Sequence, residues 1–100
     1  MSFSKFWADL QVNLGVDTNV KNWTTAKGYL GDQFKIIGIS PKGITIESPK
    51  ADTHQYVTKG DFEITYTHWE PYCSKKFKRQ ELNDLIRFSK YTISIIKHLK

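Results

Sequence analysis

The chain has 100 residues, of which 39% are hydrophobic and 25% charged, and its formal net charge is +5. This length fits a single domain over residues 1–100, and this composition excludes a disordered, collagen-like or coiled-coil chain. The lack of a long apolar run or a signal-peptide pattern predicts a cytoplasmic protein that does not enter membranes, and the single cysteine, Cys73, excludes an internal disulfide.

Residues 2–14 are predicted to form an amphipathic helix. Apolar side chains recur there at spacings of three and four residues, which places them on one helical face: Phe3, Phe6, Trp7, Leu10 and Leu14. Ser2 or Ser4 suits the start of this helix as a cap, and Gly15 suits a left-handed turn at its end.

Residues 16–33 are predicted to form a long loop, because Gly28 and Gly31 interrupt any regular pattern. A loop of this length is unusual in a compact domain and often carries function. Trp23 and Tyr29 are therefore our candidates for contact with a protein partner.

Three antiparallel strands are predicted in the middle of the chain. Runs of β-branched and aromatic residues at 34–39 and 44–48 flank a turn in which Pro41 suits the second position and Gly43 a left-handed residue. A third strand is expected at 54–58. Three strands with a helix on one face make a minimal stable sheet.

The rest of the chain is predicted to be helical. Asp61 suits the cap of a first helix, and Pro71 suits its end. Further helices are expected at 79–86 and 89–99, although one bent helix over 79–99 fits almost as well. With the N-terminal helix and the sheet, these two to three C-terminal helices predict an α+β fold.

Positive charge is concentrated near the C-terminus. Residues 1–73 carry seven lysines and eight acidic residues, whereas residues 74–100 carry eight basic residues and two acidic ones. Clustered positive charge raises the local potential and steers polyanions to a surface. The asymmetry predicts binding to nucleic acid, while a solvated helical surface that only maintains solubility is the alternative.

The two helices within residues 79–99 would have the size of a helix-turn-helix unit, which favours duplex DNA. The start of the second helix in such a unit faces the base edges, and flanking basic residues contact phosphates. The predicted nucleic-acid-binding residues are therefore Lys75, Lys76, Lys78, Arg79, Arg87, Lys90, Tyr91, Ser94 and Lys97. Aromatic residues interleaved with basic ones also fit RNA or a single strand, with stacking on Tyr56, Tyr66 or Trp23.

Two further functions stay open. The aromatic content of 14% fits a protein-interaction module or a homodimer that buries apolar surface against a partner. His54, His68 and Tyr56, together with Lys59, have the side chains that an RNA-cleaving toxin would use as acid, base and cation. The spacing of the histidines suits no metal-ligand pair, and the sequence indicates no cofactor and no small-molecule substrate.

Part of the C-terminal pattern resembles a helical module of small mobile-genome proteins, namely integron gene-cassette proteins and accessory proteins of restriction systems. The residues that carry this resemblance are Asp61, Phe62, Tyr66, Trp69, Tyr72, Arg79, Leu82 and the run from Ser89 to Ile93. The resemblance implies a small bacterial α+β fold and an association with DNA-processing systems. It assigns no functional residues.

Overall fold

A computed structural model describes residues 2–49 and 53–99, which form helices and one four-stranded antiparallel sheet of order β1-β2-β3-β4. The elements in chain order are α1 (Phe3–Asn13), β1 (Asn19–Thr24), β2 (Gly28–Ser40), β3 (Gly43–Glu47), β4 (Gln55–Thr58), α2 (Lys59–Thr67), α3 (Trp69–Cys73), α4 (Arg79–Asn83) and α5 (Ser89–Leu99). The predicted α+β class is confirmed, whereas the prediction of three strands is wrong.

Helix α1 begins where the sequence predicts. The Ser2 side-chain oxygen accepts a hydrogen bond from the Lys5 N–H at 3.3 Å, which satisfies one of the free donors at the helix start. The prediction of a left-handed turn at Gly15 is wrong. The helix is followed by Leu14 in an extended conformation, and Asp17, with a φ of 73°, takes the left-handed conformation instead.

The predicted loop at residues 16–33 is instead strand β1 and the first part of β2. Trp23 pairs with Tyr29 across a short turn, and Gly28 has a φ of 69° there, which glycine adopts without steric cost. In β1 the buried position 22 holds a polar residue, Asn22, and in β2 the adjacent Tyr29 and Leu30 are both exposed before the left-handed Gly31. The loop prediction failed because these irregularities hide the period of two.

The predicted hairpin is confirmed, with Pro41 and Lys42 connecting β2 to β3, and β4 is the third predicted strand. Gly43 is not left-handed, which corrects the predicted turn. Gly43 is the first residue of β3, and a Cβ added there would lie 2.6 Å from the Tyr56 ring and 2.6 Å from the Val57 carbonyl oxygen. Glycine is required here by close approach of the neighbouring strand.

The described residues after β4 form four helices rather than two or three. Thr58, not Asp61, caps α2, because its side-chain oxygen accepts a hydrogen bond from the Asp61 N–H at 3.2 Å. Pro71 does not end that helix; it lies in the first turn of α3, where a missing N–H costs no helical hydrogen bond. Residues 79–99 form two helices, and the first of them ends at Asn83.

One hydrophobic cluster draws residues from every helix and strand. Its fully buried side chains include Leu10, Val20, Phe34, Ile44, Val57, Phe62, Leu82 and Ile93. Trp7 of α1 ties this core to the sheet, because its indole N–H donates to the Pro41 carbonyl oxygen at 3.0 Å. None of the described helices is both long and apolar enough to cross a membrane.

Asp61 makes the free energy of unfolding depend on pH. Burial raises the pKa of this carboxyl above its ordinary value of 3.8, and a hydrogen bond with Thr58 partly opposes that effect. The folded state therefore binds the proton more tightly than the unfolded state, so stability falls as pH rises from 3.8 through the folded pKa. We expect the free energy of unfolding of Asp61→Asn, measured by chemical denaturation from acidic to neutral pH, to lack this loss. A pH profile identical to that of the unaltered protein would contradict the prediction.

Candidate nucleic-acid interface

Helix α5 is buried over most of its length and presents no continuous exposed face that could act as a recognition surface. Its residues from Tyr91 to Ile96 are all buried. The Ser94 side-chain oxygen accepts a hydrogen bond from the Trp23 N–H at 3.0 Å, so α5 lies against the edge of β1. A recognition helix must present one face to a DNA groove. The helix-turn-helix prediction is therefore wrong, and Tyr91 and Ser94 are not available to base edges.

Residues 74–78, which connect α3 to α4, form a hydrogen-bonded turn that we call the basic loop. The Lys75 N–H donates to the Tyr72 carbonyl oxygen at 3.1 Å, and the Lys76 N–H donates to the Pro71 carbonyl oxygen at 2.9 Å. This pair of bonds is the Schellman pattern that ends many helices. Lys75 has a φ of 65°, the left-handed conformation that glycine usually supplies at this position.

Four basic residues line one open cavity between the basic loop and the β1–β2 turn. This cavity, which we call the basic groove, has a volume of about 560 Å³. Lys75, Lys78 and Arg79 belong to the predicted set, and Lys27 comes from the turn. No Asp or Glu is among the described residues that line the groove. The Glu81 carboxylate, which accepts a hydrogen bond from the Lys78 N–H at 3.4 Å, lies outside this lining. Because positive charges converge in one concavity whose lining has no acidic residue, the groove favours an anionic ligand.

The walls of the groove also carry apolar surface. Leu30 of β2, Tyr72 of α3 and Phe77 of the basic loop line it, and Leu30 is 41% exposed. The Tyr72 hydroxyl accepts a hydrogen bond from the Thr25 N–H at 3.2 Å. This bond joins the β1–β2 turn to α3, so the two sides of the groove are held together by the fold itself.

Phe77 is held by His68, the residue between α2 and α3. Its ring stacks on that of His68, with the centroids 4.5 Å apart and the planes inclined by 20°. His68 is held in turn by a hydrogen bond between its Nδ1 and the Ile64 carbonyl oxygen at 2.9 Å. The groove therefore contains an aromatic ring whose position is set before any ligand binds.

Arg79 has an unused donor. Its Nε is buried and has no hydrogen-bond partner among the residues that the structure describes. A buried donor left without an acceptor costs about 1–3 kcal/mol. A ligand oxygen close to this guanidinium would recover part of that cost.

The other predicted basic residues do not line the groove. Lys76 is exposed. Three more cations lie over the protein's own aromatic rings: Arg87 at 5.3 Å from the centroid of Phe88, Lys90 at 5.9 Å from Tyr91 and Lys97 at 4.8 Å from Trp23. These three cations contact aromatic rings of the protein itself and are not part of the groove.

Trp23 and Tyr29 have different surroundings. Trp23 is half-buried and packs against Trp69 and Tyr72, with ring centroids 6.1 Å and 6.4 Å apart. Tyr29 is 60% exposed, so its contact with a partner stays a prediction. Among the described aromatic residues only Tyr29 and Tyr56 are exposed. Most of the aromatic side chains that suggested a partner surface thus pack in or against the core.

The histidines proposed for an RNA-cleaving site lie in different places. His54 is exposed, and its Nε2 lies 3.9 Å from a Glu47 carboxylate oxygen. His68 is half-buried beneath Phe77. Neither histidine lines the basic groove. In the described part of the chain, no three His, Cys, Asp or Glu side chains are grouped so as to hold a metal ion.

Sequence reasoning missed Lys27 and Leu30. Both fall in the segment that the sequence predicted as a loop, and Lys27 lies in a part of the chain whose net charge is slightly negative. Only the β1–β2 hairpin brings them to the basic loop, almost 50 residues away along the chain. A hairpin signal around residues 25–28 is the one pattern that would have placed them.

Comparison of the chain with protein-family models, with curated proteins and with solved structures gives no match. The resemblance to mobile-genome proteins therefore stays a prediction.

The conformation of Lys75 yields a prediction that separates stability from binding. A left-handed backbone costs a non-glycine residue about 1–2 kcal/mol. Lys75→Gly removes that cost but adds chain entropy to the unfolded state, so we expect the free energy of unfolding to rise by about 0.5 kcal/mol. Binding to nucleic acid should weaken at the same time. Urea denaturation and anisotropy titration measure the two effects, and a variant that loses both stability and binding would contradict this prediction.

Proposed function

We propose that the protein binds nucleic acid without cleaving it, through phosphate contacts in the basic groove. The observation that carries this proposal is the convergence of Lys27, Lys75, Lys78 and Arg79 on one cavity whose described lining has no acidic residue. Nucleic acids are the polyanions whose regularly spaced phosphates suit such a set of cations.

The preference for duplex DNA rested on a recognition helix. Because Tyr91 and Ser94 are buried, α5 gives no reason to favour a duplex over other nucleic acids. Phosphate contacts position a nucleic acid but carry no sequence information. The proposed binding is accordingly independent of sequence and strongly dependent on salt.

The test is a titration of the purified protein against labelled random-sequence duplex DNA, single-stranded DNA and RNA, each at about 50 and about 200 mM salt. We expect micromolar affinity at the lower concentration, and a logarithmic slope near −3 with salt if the four cations contact about four phosphates. Recovery of intact oligonucleotides on a denaturing gel checks that nothing is cleaved. Absence of binding at the lower salt concentration, or affinity that does not change with salt, would overturn the proposal.

A further inference from the structure

We propose that the basic groove takes one unstacked base of a single-stranded nucleic acid together with its adjoining phosphate. This inference rests on the proposed function and names the form of nucleic acid that the groove prefers. It follows from the shape of the groove, from its apolar walls and from the arrangement of its charges.

The shape of the groove distinguishes a single strand from a duplex. Phosphates on the outside of a duplex need only a positive surface, whereas the groove is a concavity of about 560 Å³, within the range of small-ligand pockets. The bases of a duplex are paired and stacked, so they cannot enter such a cavity. A single strand can turn a base out of its stack and insert it.

The apolar walls suit the face of a base. Leu30 stays 41% exposed on β2, although it lies within the groove and beside several cations. Phe77 supplies an aromatic ring that His68 already holds in place. Base stacking on such rings is tolerant of sequence because every base has a π-face.

The charges suit the phosphate that adjoins this base. Lys27 approaches the cavity from the β1–β2 turn, and Lys78 and Arg79 line it from the other side. The buried Nε of Arg79 lacks an acceptor among the described residues. Rotation of this side chain toward the groove would let a phosphate oxygen accept from it, and guanidinium groups match phosphate geometry well.

The experiment compares three labelled probes of equal length at one salt concentration: a thymidine strand, a strand of stable abasic units, and a duplex. The abasic strand keeps the phosphates and removes the bases. We expect the thymidine strand to bind about tenfold more tightly than either of the other probes. This comparison uses the unaltered protein and does not depend on the folding of a variant.

A matched pair of variants locates the effect. Leu30→Thr keeps a strand-forming residue in β2, and we expect it to weaken thymidine-strand binding about fivefold and abasic-strand binding by much less. Leu85→Thr is the control, because Leu85 is also exposed, at 52%, and does not line the groove. It should change neither affinity, and equal losses in the two variants would overturn the assignment of the base to the groove.

The outcomes separate this inference from the proposed function. Equal, salt-dependent binding of the thymidine and abasic strands would overturn the base-binding inference and leave phosphate binding intact. Failure to bind any probe would overturn both. Thymidine monophosphate serves as a competitor of the labelled thymidine strand. If it displaces the strand only at concentrations about 100-fold above those at which unlabelled strand does so, the ligand is a strand. If the nucleotide and the unlabelled strand compete equally well, the ligand is a free nucleotide instead.

Discussion

Replacing both Lys75 and Lys78 with glutamate is expected to weaken nucleic-acid binding at least about 100-fold at low salt. Each substitution removes a cation from the basic groove and adds an anion, so two negative charges would face Lys27 and Arg79. The groove would then carry no net charge. The logarithmic salt slope should become less steep by about 1.5, because two fewer phosphates are neutralised.

The control variant is Lys42→Glu with Lys59→Glu, which changes the net charge of the protein by the same amount. Both lysines are exposed, and the Lys59 N–H donates to the Lys42 carbonyl oxygen at 2.8 Å, so they are neighbours as well. Lys27 precedes the first residue of β2, whereas Lys42 follows its last residue, so the two lysines of the control lie at the other end of this strand. We expect this control to weaken binding less than about fivefold, since charges far from the groove are screened by salt. Equal losses in both double variants would show that net charge, not the groove, determines binding.

The helices and strands that the sequence predicted correctly are those with a local signal. Helix α1 has an apolar stripe and a serine cap, and the β2–β3 hairpin has β-branched runs around Pro41. Strand β1 lacked such a signal, because one of its two buried positions holds the polar Asn22, so the strand shows no alternation of apolar and polar residues. Local periodicity predicts an element only where the backbone is regular.

The burial of α5 shows why a helical pattern alone cannot identify a DNA-binding face. Thr92 and Ser94 look like surface residues in the sequence, yet both are buried. The Thr92 hydroxyl accepts a hydrogen bond from the Thr65 hydroxyl at 2.8 Å, and Ser94 accepts one from the Trp23 backbone. Polar side chains can be buried when such partners satisfy them. These partners lie in other elements, so the sequence pattern gave no sign of them.

The candidate site was predictable in part for a similar reason. Lys75, Lys78 and Arg79 are close together in the chain, so charge clustering alone was enough to select them. The same clustering selected Lys90 and Lys97, whose amines lie over Tyr91 and Trp23 instead. Which cations share a cavity depends on tertiary packing, and composition carries no information on that.

Gly43→Ala is expected to lower the free energy of unfolding by about 3 kcal/mol. The new Cβ would lie 2.6 Å from both the Tyr56 ring and the Val57 carbonyl oxygen, closer than such atoms can approach. The ring could move aside, but the carbonyl belongs to the backbone of β4, which is paired with β3. For a domain of this size, the loss corresponds to a fall in melting temperature of about 15 °C.

Two comparison variants separate the backbone clash from the side-chain clash. Tyr56→Ala in the Gly43→Ala background removes the ring, so recovery of only part of the stability would assign the remainder to the Val57 carbonyl. Gly38→Ala is the matched control on β2, because its Cβ would meet only the Thr45 side chain, at 3.2 Å. We expect it to cost less than about 1 kcal/mol. Equal losses at Gly38 and Gly43 would contradict the role assigned to close strand approach.

The Gly43→Ala variant also tests whether nucleic-acid binding in the basic groove depends on packing at the opposite end of the sheet. Gly43 adjoins the β2–β3 turn, whereas the groove is built on the β1–β2 turn at the other end of β2. At a temperature where Gly43→Ala remains folded, its affinity for nucleic acid should equal that of the unaltered protein. If affinity falls together with stability, the two turns are coupled through β2, and the geometry of the groove depends on the packing of the whole sheet.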